Sequence, residues 1–167
     1  MSYIFKSERL GFRLLTAQDA QNCDLFWGND EVMAYTGGSI SAELLPQVID
    51  FYAQSQQDYG ITVYGVEDIS SGQLIGAAGF DIESAVEDIE LVFHFMKDAW
   101  GKGLASEAAV ACIRYAAEVY QPKSIIASSS VENKKALNIL GKIGFAYLGI
   151  HYLEDTAQDE ALFQLVL

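Results

Sequence analysis

Over residues 8–15 polar and apolar side chains alternate with the period of two expected of a strand with one buried face. Thr16 followed by Asp19 then marks a helix start, with a hydroxyl to cap and an acid in the first turn, and the pattern predicts a helix to about Trp27. Asn29-Asp30-Glu31 predicts a second, short helix that stops at Gly37-Gly38. Ser41 caps a longer third helix, with Pro46 in its first turns and Leu44, Leu45, Val48, Ile49 and Phe51 at helical spacing. These two helices read as a lid or substrate wall. Residues 61–66, 73–80 and 86–96 read as three strands, joined by Asp68-Ile69-Ser70-Ser71-Gly72 and by Glu83-Ser84-Ala85, which predicts an antiparallel meander.

Downstream, Leu104, Ala108, Ala111, Cys112, Tyr115 and Val119 recur on one face of a helix over residues 103–120 that ends before Pro122. A strand over 124–130, a helix over 132–143 and strands over 145–152 and 161–167 complete the chain. No internal repeat, low-complexity segment or linker interrupts the pattern, so residues 1–167 are expected to form one domain. The order predicts an α/β fold: a single mixed, mostly antiparallel sheet of about seven strands with helices on both faces.

Composition narrows the function classes. A chain of 167 residues, 51% hydrophobic, can bury a substantial core, and no run approaches the roughly 18 apolar residues of a membrane span. The N-terminal residues lack the basic start and apolar core of a signal peptide, and Cys23 and Cys112 lie far apart in helical segments, so a cytoplasmic protein without disulfides is expected. The net charge of −13 argues against nucleic acid as a partner. Residues 97–142 nonetheless hold seven basic against four acidic residues, net +3, which leaves −16 for the remainder. Such a distribution suits an anionic cofactor and a cationic second substrate.

The basic segment contains Trp100-Gly101-Lys102-Gly103-Leu104-Ala105, where a strand pattern becomes a helix pattern. Two glycines let the backbone turn tightly and point several N–H groups into one concavity, which with a helix N-terminus favours phosphate; a plain strand-to-helix turn is the alternative. The absence of a Gly-Lys-Ser/Thr ending disfavours a nucleotide phosphotransferase loop, and no plausible metal cluster is present.

The order of elements, together with residues 100–105 and 133–145, resembles the GCN5-related N-acetyltransferase (GNAT) family, and within it the RimJ/RimL-type ribosomal-protein N-terminal acetyltransferases. Glu8-Arg9-Leu10-Gly11-Phe12-Arg13-Leu14-Leu15 is similar to the family's opening strand, and Asn29-Asp30-Glu31-Val32-Met33 to the stretch after its first helix. Gln73-Leu74-Ile75-Gly76 resembles its "leucine or isoleucine then glycine" signature, Trp100 to Ala108 the acetyl-CoA pyrophosphate loop, and Val131-Glu132-Asn133-Lys134-Lys135-Ala136 with Gly144-Phe145 its second cofactor segment. The resemblance implies the acyl-CoA N-acyltransferase fold, acetyl-CoA as co-substrate and no metal. Backbone N–H groups of Gly101, Lys102, Gly103, Leu104, Ala105 and Ser106 would hold the pyrophosphate. Lys102 and Lys134 or Lys135 would add charge, and a splay at Phe93, Phe95 and Met96 opposite Ser128 to Ser130 would admit the pantetheine arm. Asn133 suits a peptide-like pantetheine group or, alternatively, caps the following helix. Trp100 brings no charge where many relatives carry Arg or Gln.

Acetyl transfer to an amine needs a base for the amine and a proton for a departing thiolate. Many relatives supply the acid from a Tyr where this chain has Leu140, and the subgroup's frequent Ser is Ala136 here. The remaining acid candidates are the hydroxyls of Ser128, Ser129 and Ser130, and Tyr147 or Tyr152. Glu90 and His94, four apart on one strand, share a face and are the candidate bases, with His151 a third choice and Asp81 and Glu83 as contacts for a cationic amine. Phe26, Trp27, Tyr35, Phe51 and Tyr52 are expected in the core, some lining the acceptor pocket. The expected acceptor is a primary amine, either a small molecule such as a polyamine or a protein N-terminus, with no membrane partner; a homodimer is one assembly the resemblance allows. A catalytically silent acyl-CoA-binding module is the competing reading.

Overall fold

The computed structural model describes residues 2–82 and 88–167, so the start of the strand expected from 86, the connection 83–85 and the amine contact expected of Glu83 lie outside the described residues. Eight strands form one sheet in the order β1-β2-β3-β4-β5-β6-β8-β7. They are β1 (Phe5–Lys6), β2 (Leu10–Arg13), β3 (Val63–Asp68), β4 (Gln73–Ile82), β5 (Asp88–Phe95), β6 (Ser124–Ser130), β7 (Ala146–Leu153) and β8 (Gln158–Val166). Of the neighbouring pairs only β5 and β6 run parallel, joined by the helix α3 (Leu104–Val119). The mixed, mostly antiparallel sheet expected from the sequence is therefore present, with one additional strand.

That strand is β1. Two residues carry little strand signal, but the Phe5 ring stacks on Phe12 at 4.3 Å and on Tyr115 of α3 at 4.2 Å, and this aromatic packing holds it against β2. The same contacts place α3 on the sheet face that carries Phe12, Phe93 and Phe95.

The first helical segment is shorter than its pattern. A 3-10 turn over Ala17–Asp19 leads into α1 (Ala20–Cys23), and the chain then proceeds in turns that bury Phe26 and Trp27. The short helix expected after Asn29 is absent. The Asn29 side-chain carbonyl accepts from the N–H groups of Glu31 (2.9 Å) and Val32 (3.0 Å), the local bonding by which Asn competes with a helical ladder. The longer helix, α2 (Leu45–Tyr59), follows a 3-10 turn over Ala42–Leu44, has Pro near its start and ends at Gly60 with φ 76°. It covers the sheet face opposite α3, where Tyr52 meets Trp27 at 5.7 Å. The helix α4 (Lys134–Lys142) starts two residues later than expected because Asn133 caps it, accepting from Ala136 N–H at 3.3 Å.

A charged network of the described residues lies inside the fold. Arg13 is bonded through Nη1 and Nη2 to the Asp19 carboxylate (2.9 Å each) and through Nε to Glu67, which also accepts from the Tyr3 hydroxyl at 3.0 Å. Asp19 in turn accepts the Thr16 N–H at 2.7 Å. Among the described residues no helix is long and apolar enough to cross a membrane.

Candidate active site

The parallel strands β5 and β6 pair only over Asp88 to Glu90 against Ser124 to Ile126. Beyond Glu90, β5 continues along β4 as far as the Phe95–Gly76 pair, while β6 continues along β8 as far as Ser130–Glu160. The two strands therefore part and leave a wedge-shaped gap in the sheet. Met96 N–H donates to the Ile75 carbonyl at 2.9 Å, so alternate residues of β5 bond to β4 and the backbone groups of Phe93 and Phe95 face the gap. On β6, Leu167 N–H bonds to Lys123 O and Val131 N–H to Asp159 O, which leaves the backbone of Ser128 and Ser130 facing the gap from the other side. Gly76 permits this arrangement: a Cβ there would lie 2.4 Å from the His94 carbonyl oxygen, so a side chain would push β4 away from β5.

At the open end of the gap, Gly101 and Gly103 adopt φ of 77° and 74°, a left-handed conformation that glycine enters without strain. The Glu107 N–H bond to the Gly103 carbonyl (3.2 Å) opens the α3 ladder, and the N–H groups before it, through Ser106, are those a helix leaves unpaired. Leu104 itself is buried, so only its backbone is available to a ligand, while Ala105 and Ser106 are half-buried. Trp100 donates its indole N–H to the Phe95 carbonyl at 2.9 Å, and the Lys135 ammonium sits over the Trp100 ring, 5.2 Å from its centre. The loop and the first turn of α4 thus meet across the mouth, with Lys135 as a cation beside the cradle. Lys134 instead reaches back to the Val131 carbonyl at 3.0 Å, and Met96 packs in the core with Gln73 Nε2 3.8 Å from its sulfur.

At the narrow end, on the face covered by α2, Glu90 accepts from the Ser128 hydroxyl at 3.1 Å. Asp81 on β4 is the cross-strand partner of Glu90, and Tyr52 of α2 feels the charge of both carboxylates. Burial, and then the carboxylates of Asp81 and Glu90, push the Tyr52 phenol far above its ordinary value, so it stays a donor. His94 lies on the same face and accepts from the Trp27 indole N–H through Nδ1 at 3.4 Å, which leaves its ring proton on Nε2. Burial lowers the His94 pKa to about 4, so the ring is neutral at physiological pH. A titration followed by ring-nitrogen NMR is expected to show His94 uncharged at pH 6 and protonating near pH 4; a midpoint near the ordinary 6.5 would contradict the burial.

Among the candidate catalytic residues, Glu90 and His94 are brought together on one face. Ser129 is not: by alternation its side chain occupies the opposite face with Ile125 and Ala127, and the neighbouring Ser128 reaches Glu90. Tyr147, Tyr152 and His151 lie exposed on β7, which β8 separates from β6. Phe26 and Trp27 are core residues, whereas Tyr35 and Phe51 are exposed. Ser128 is the partner of Glu90 that sequence alone could not single out from Ser129 and Ser130, and of the apolar residues expected along α2, Leu45 and Ile49 are buried while Leu44 and Phe51 are exposed. Among the described residues no three His, Cys, Asp or Glu side chains gather as a metal site requires.

Comparison with known proteins agrees with the fold. Residues 9–146 match the family model of the acetyltransferase (GNAT) domain. The chain belongs to the GNAT family. It is an acetyltransferase by that membership, and the family uses acetyl-CoA. Sequence relatives include YoaA of Bacillus subtilis (strain 168), named an uncharacterized N-acetyltransferase, 28% identical over 172 residues that cover 98% of this chain and 96% of the relative. Similar solved structures include a GNAT-family acetyltransferase from Bacillus anthracis, with a TM-score of 0.84 at 23% identity over 96% of each chain. They also include RimL, a ribosomal L7/L12 alpha-N-protein acetyltransferase in complex with coenzyme A, with a TM-score of 0.83 at 14% identity over 99% of this chain and 98% of that one. At these identities the two structures establish the shared fold.

Proposed function

We propose that this GNAT protein transfers the acetyl group of acetyl-CoA to a cationic primary amine, a protein N-terminus or a small polyamine-like molecule, by direct attack. The observation that carries the reading is Glu90 at the vertex of the β5–β6 gap, bonded to Ser128 and paired across the sheet with Asp81. The gap suits a pantetheine arm: its amides match the backbone groups of Phe93, Phe95, Ser128 and Ser130, and the phosphates match the unpaired N–H groups of the glycine loop with Lys102 and Lys135. In this arrangement Asn133 serves first as the helix cap, and the order it gives α4 brings Lys135 to the mouth.

Glu90 takes one proton from the bound ammonium. The freed lone pair adds to the thioester carbonyl carbon, the C–S bond breaks, and the second amine proton passes to the departing thiolate. Asp81 draws the cation to Glu90. Neutral His94 keeps the Trp27 wall of the pocket in position rather than carrying charge.

The test has two parts. The thermal midpoint is expected to rise with CoA and acetyl-CoA and not with ATP. Thiol release from acetyl-CoA is then expected with at least one member of a panel of N-terminal peptides, polyamines and aminoglycosides. A CoA-dependent midpoint with no release from any of them would favour the silent acyl-CoA-binding module, a reading that the buried Leu140 in place of a tyrosine keeps specific.

A further inference from the structure

Glu107 is an acid in the first turn of the helix whose N-terminus forms the phosphate cradle. An ionised carboxylate there suits the helix dipole but opposes a phosphate bound at the same end. Its surroundings, built from residues before β2, resolve the conflict. The Ser7 hydroxyl and the Arg9 N–H both donate to Glu107 Oε1, at 2.7 and 2.8 Å, and Arg9 Nε donates to Oε2 at 2.7 Å. The same guanidinium donates through Nη1 to the carbonyl of Lys102 at 3.0 Å, the residue between the two glycines. Burial pushes the Glu107 carboxyl up, but the bonds from Ser7 and Arg9 outweigh it and hold it below the ordinary glutamate value, so the pair is ionised.

As a contribution to stability this pair is minor, because the Arg9 side chain is 49% exposed and exposed ion pairs contribute little. As a constraint on geometry it is specific. One planar fork ties a carboxylate of α3 and a carbonyl of the glycine loop to a strand end 98 and 93 residues away from them, respectively. Turning the Lys102 carbonyl toward Arg9 directs that peptide's oxygen away from the anion site, and the guanidinium offsets the charge of Glu107.

We propose that Arg9 is a positioning residue for the phosphates of acetyl-CoA: clasped to Glu107 and to the Lys102 carbonyl, it fixes the glycine loop with its N–H groups presented to the pyrophosphate. This rests on the acetyl-CoA reading above. The clasp acts on the phosphate end of the ligand, so its loss is felt by CoA and not by pantetheine, which lacks the phosphates.

Calorimetric binding of CoA and of pantetheine to the wild type, Arg9→Gln and Arg9→Lys separates the alternatives. Arg9→Gln is expected to weaken CoA by about tenfold, the loss of roughly one charge-assisted hydrogen bond, with pantetheine unchanged. Arg9→Lys keeps the charge but not the fork and is expected to recover only part of the loss. Equal weakening of CoA and pantetheine, or no change in either, would overturn the clasp. Failure of the wild type to bind CoA would instead overturn the cofactor reading itself.

Discussion

Glu90→Gln is expected to lower kcat by about 10²- to 10³-fold with the KM for acetyl-CoA within about twofold of wild type, the loss typical of removing a positioned general base. The substitution is nearly isosteric and leaves a carbonyl oxygen to accept from Ser128, so the gap should keep its shape. Without the carboxylate, the amine must arrive already neutral, and the residual rate should rise with pH in step with the fraction of free amine. His94 offers no substitute near neutral pH, since its Nδ1 is engaged by Trp27 and its pKa is about 4. Unchanged turnover in Glu90→Gln would remove Glu90 from the chemistry and shift attention to Asp81, which faces it across the strand pair.

The largest expected effect on stability comes from Arg13→Met. The guanidinium is buried and bonded to both Asp19 and Glu67, so removing it strands two carboxylates in the interior. Breaking a buried pair from one side costs about 3–5 kcal/mol, which for a chain of this size lowers Tm by roughly 10 °C in a thermal melt. The pH dependence follows from the sign of the Asp19 shift. Burial raises the Asp19 pKa, but the bonds from Arg13 and Thr16 prevail and hold it below its ordinary 3.8. The wild type therefore has this stabilisation in full above about pH 4 and loses it as pH falls through the lowered value. In the variant the Arg13 bonds are gone and only the Thr16 bonds still oppose burial at Asp19, so protonation relieves more of the cost than in the wild type and the gap between the two melts should narrow as pH falls from 7 toward 4. A constant difference across that range would show that the carboxylates are not the source.

Much of this was legible in the chain because its causes are local. The pattern over residues 103–120 and the stop before Pro122 placed α3 within one residue of where it lies, and Gly101 and Gly103 take the positive φ their positions suggested. Where prediction failed, a longer-range contact or a competing side-chain bond had overridden propensity. Phe5 belongs to a strand only because Phe12 and Tyr115 flank it, and Asn29 turns the chain by capturing its own downstream N–H groups.

The site divides along the same line. Period-two alternation put Glu90 and His94 on one face without reference to any other strand, since it is set by the pleat of the chain itself. Whether Ser128 or Ser129 meets Glu90 depends on the register between β5 and β6, and a shift of one residue exchanges the faces; only the assembled sheet fixes it. The bond from Arg9 to Glu107 is of the same kind, joining residues whose separation along the chain carries no record of their contact. The sequence by itself determined the order of elements from α2 onward, the glycine turn at the head of α3 and the acetyltransferase family, because these reside in short-range pattern. The tertiary structure alone decided the register at which β5 and β6 part and which side chains face one another there, because those follow from packing of the whole sheet.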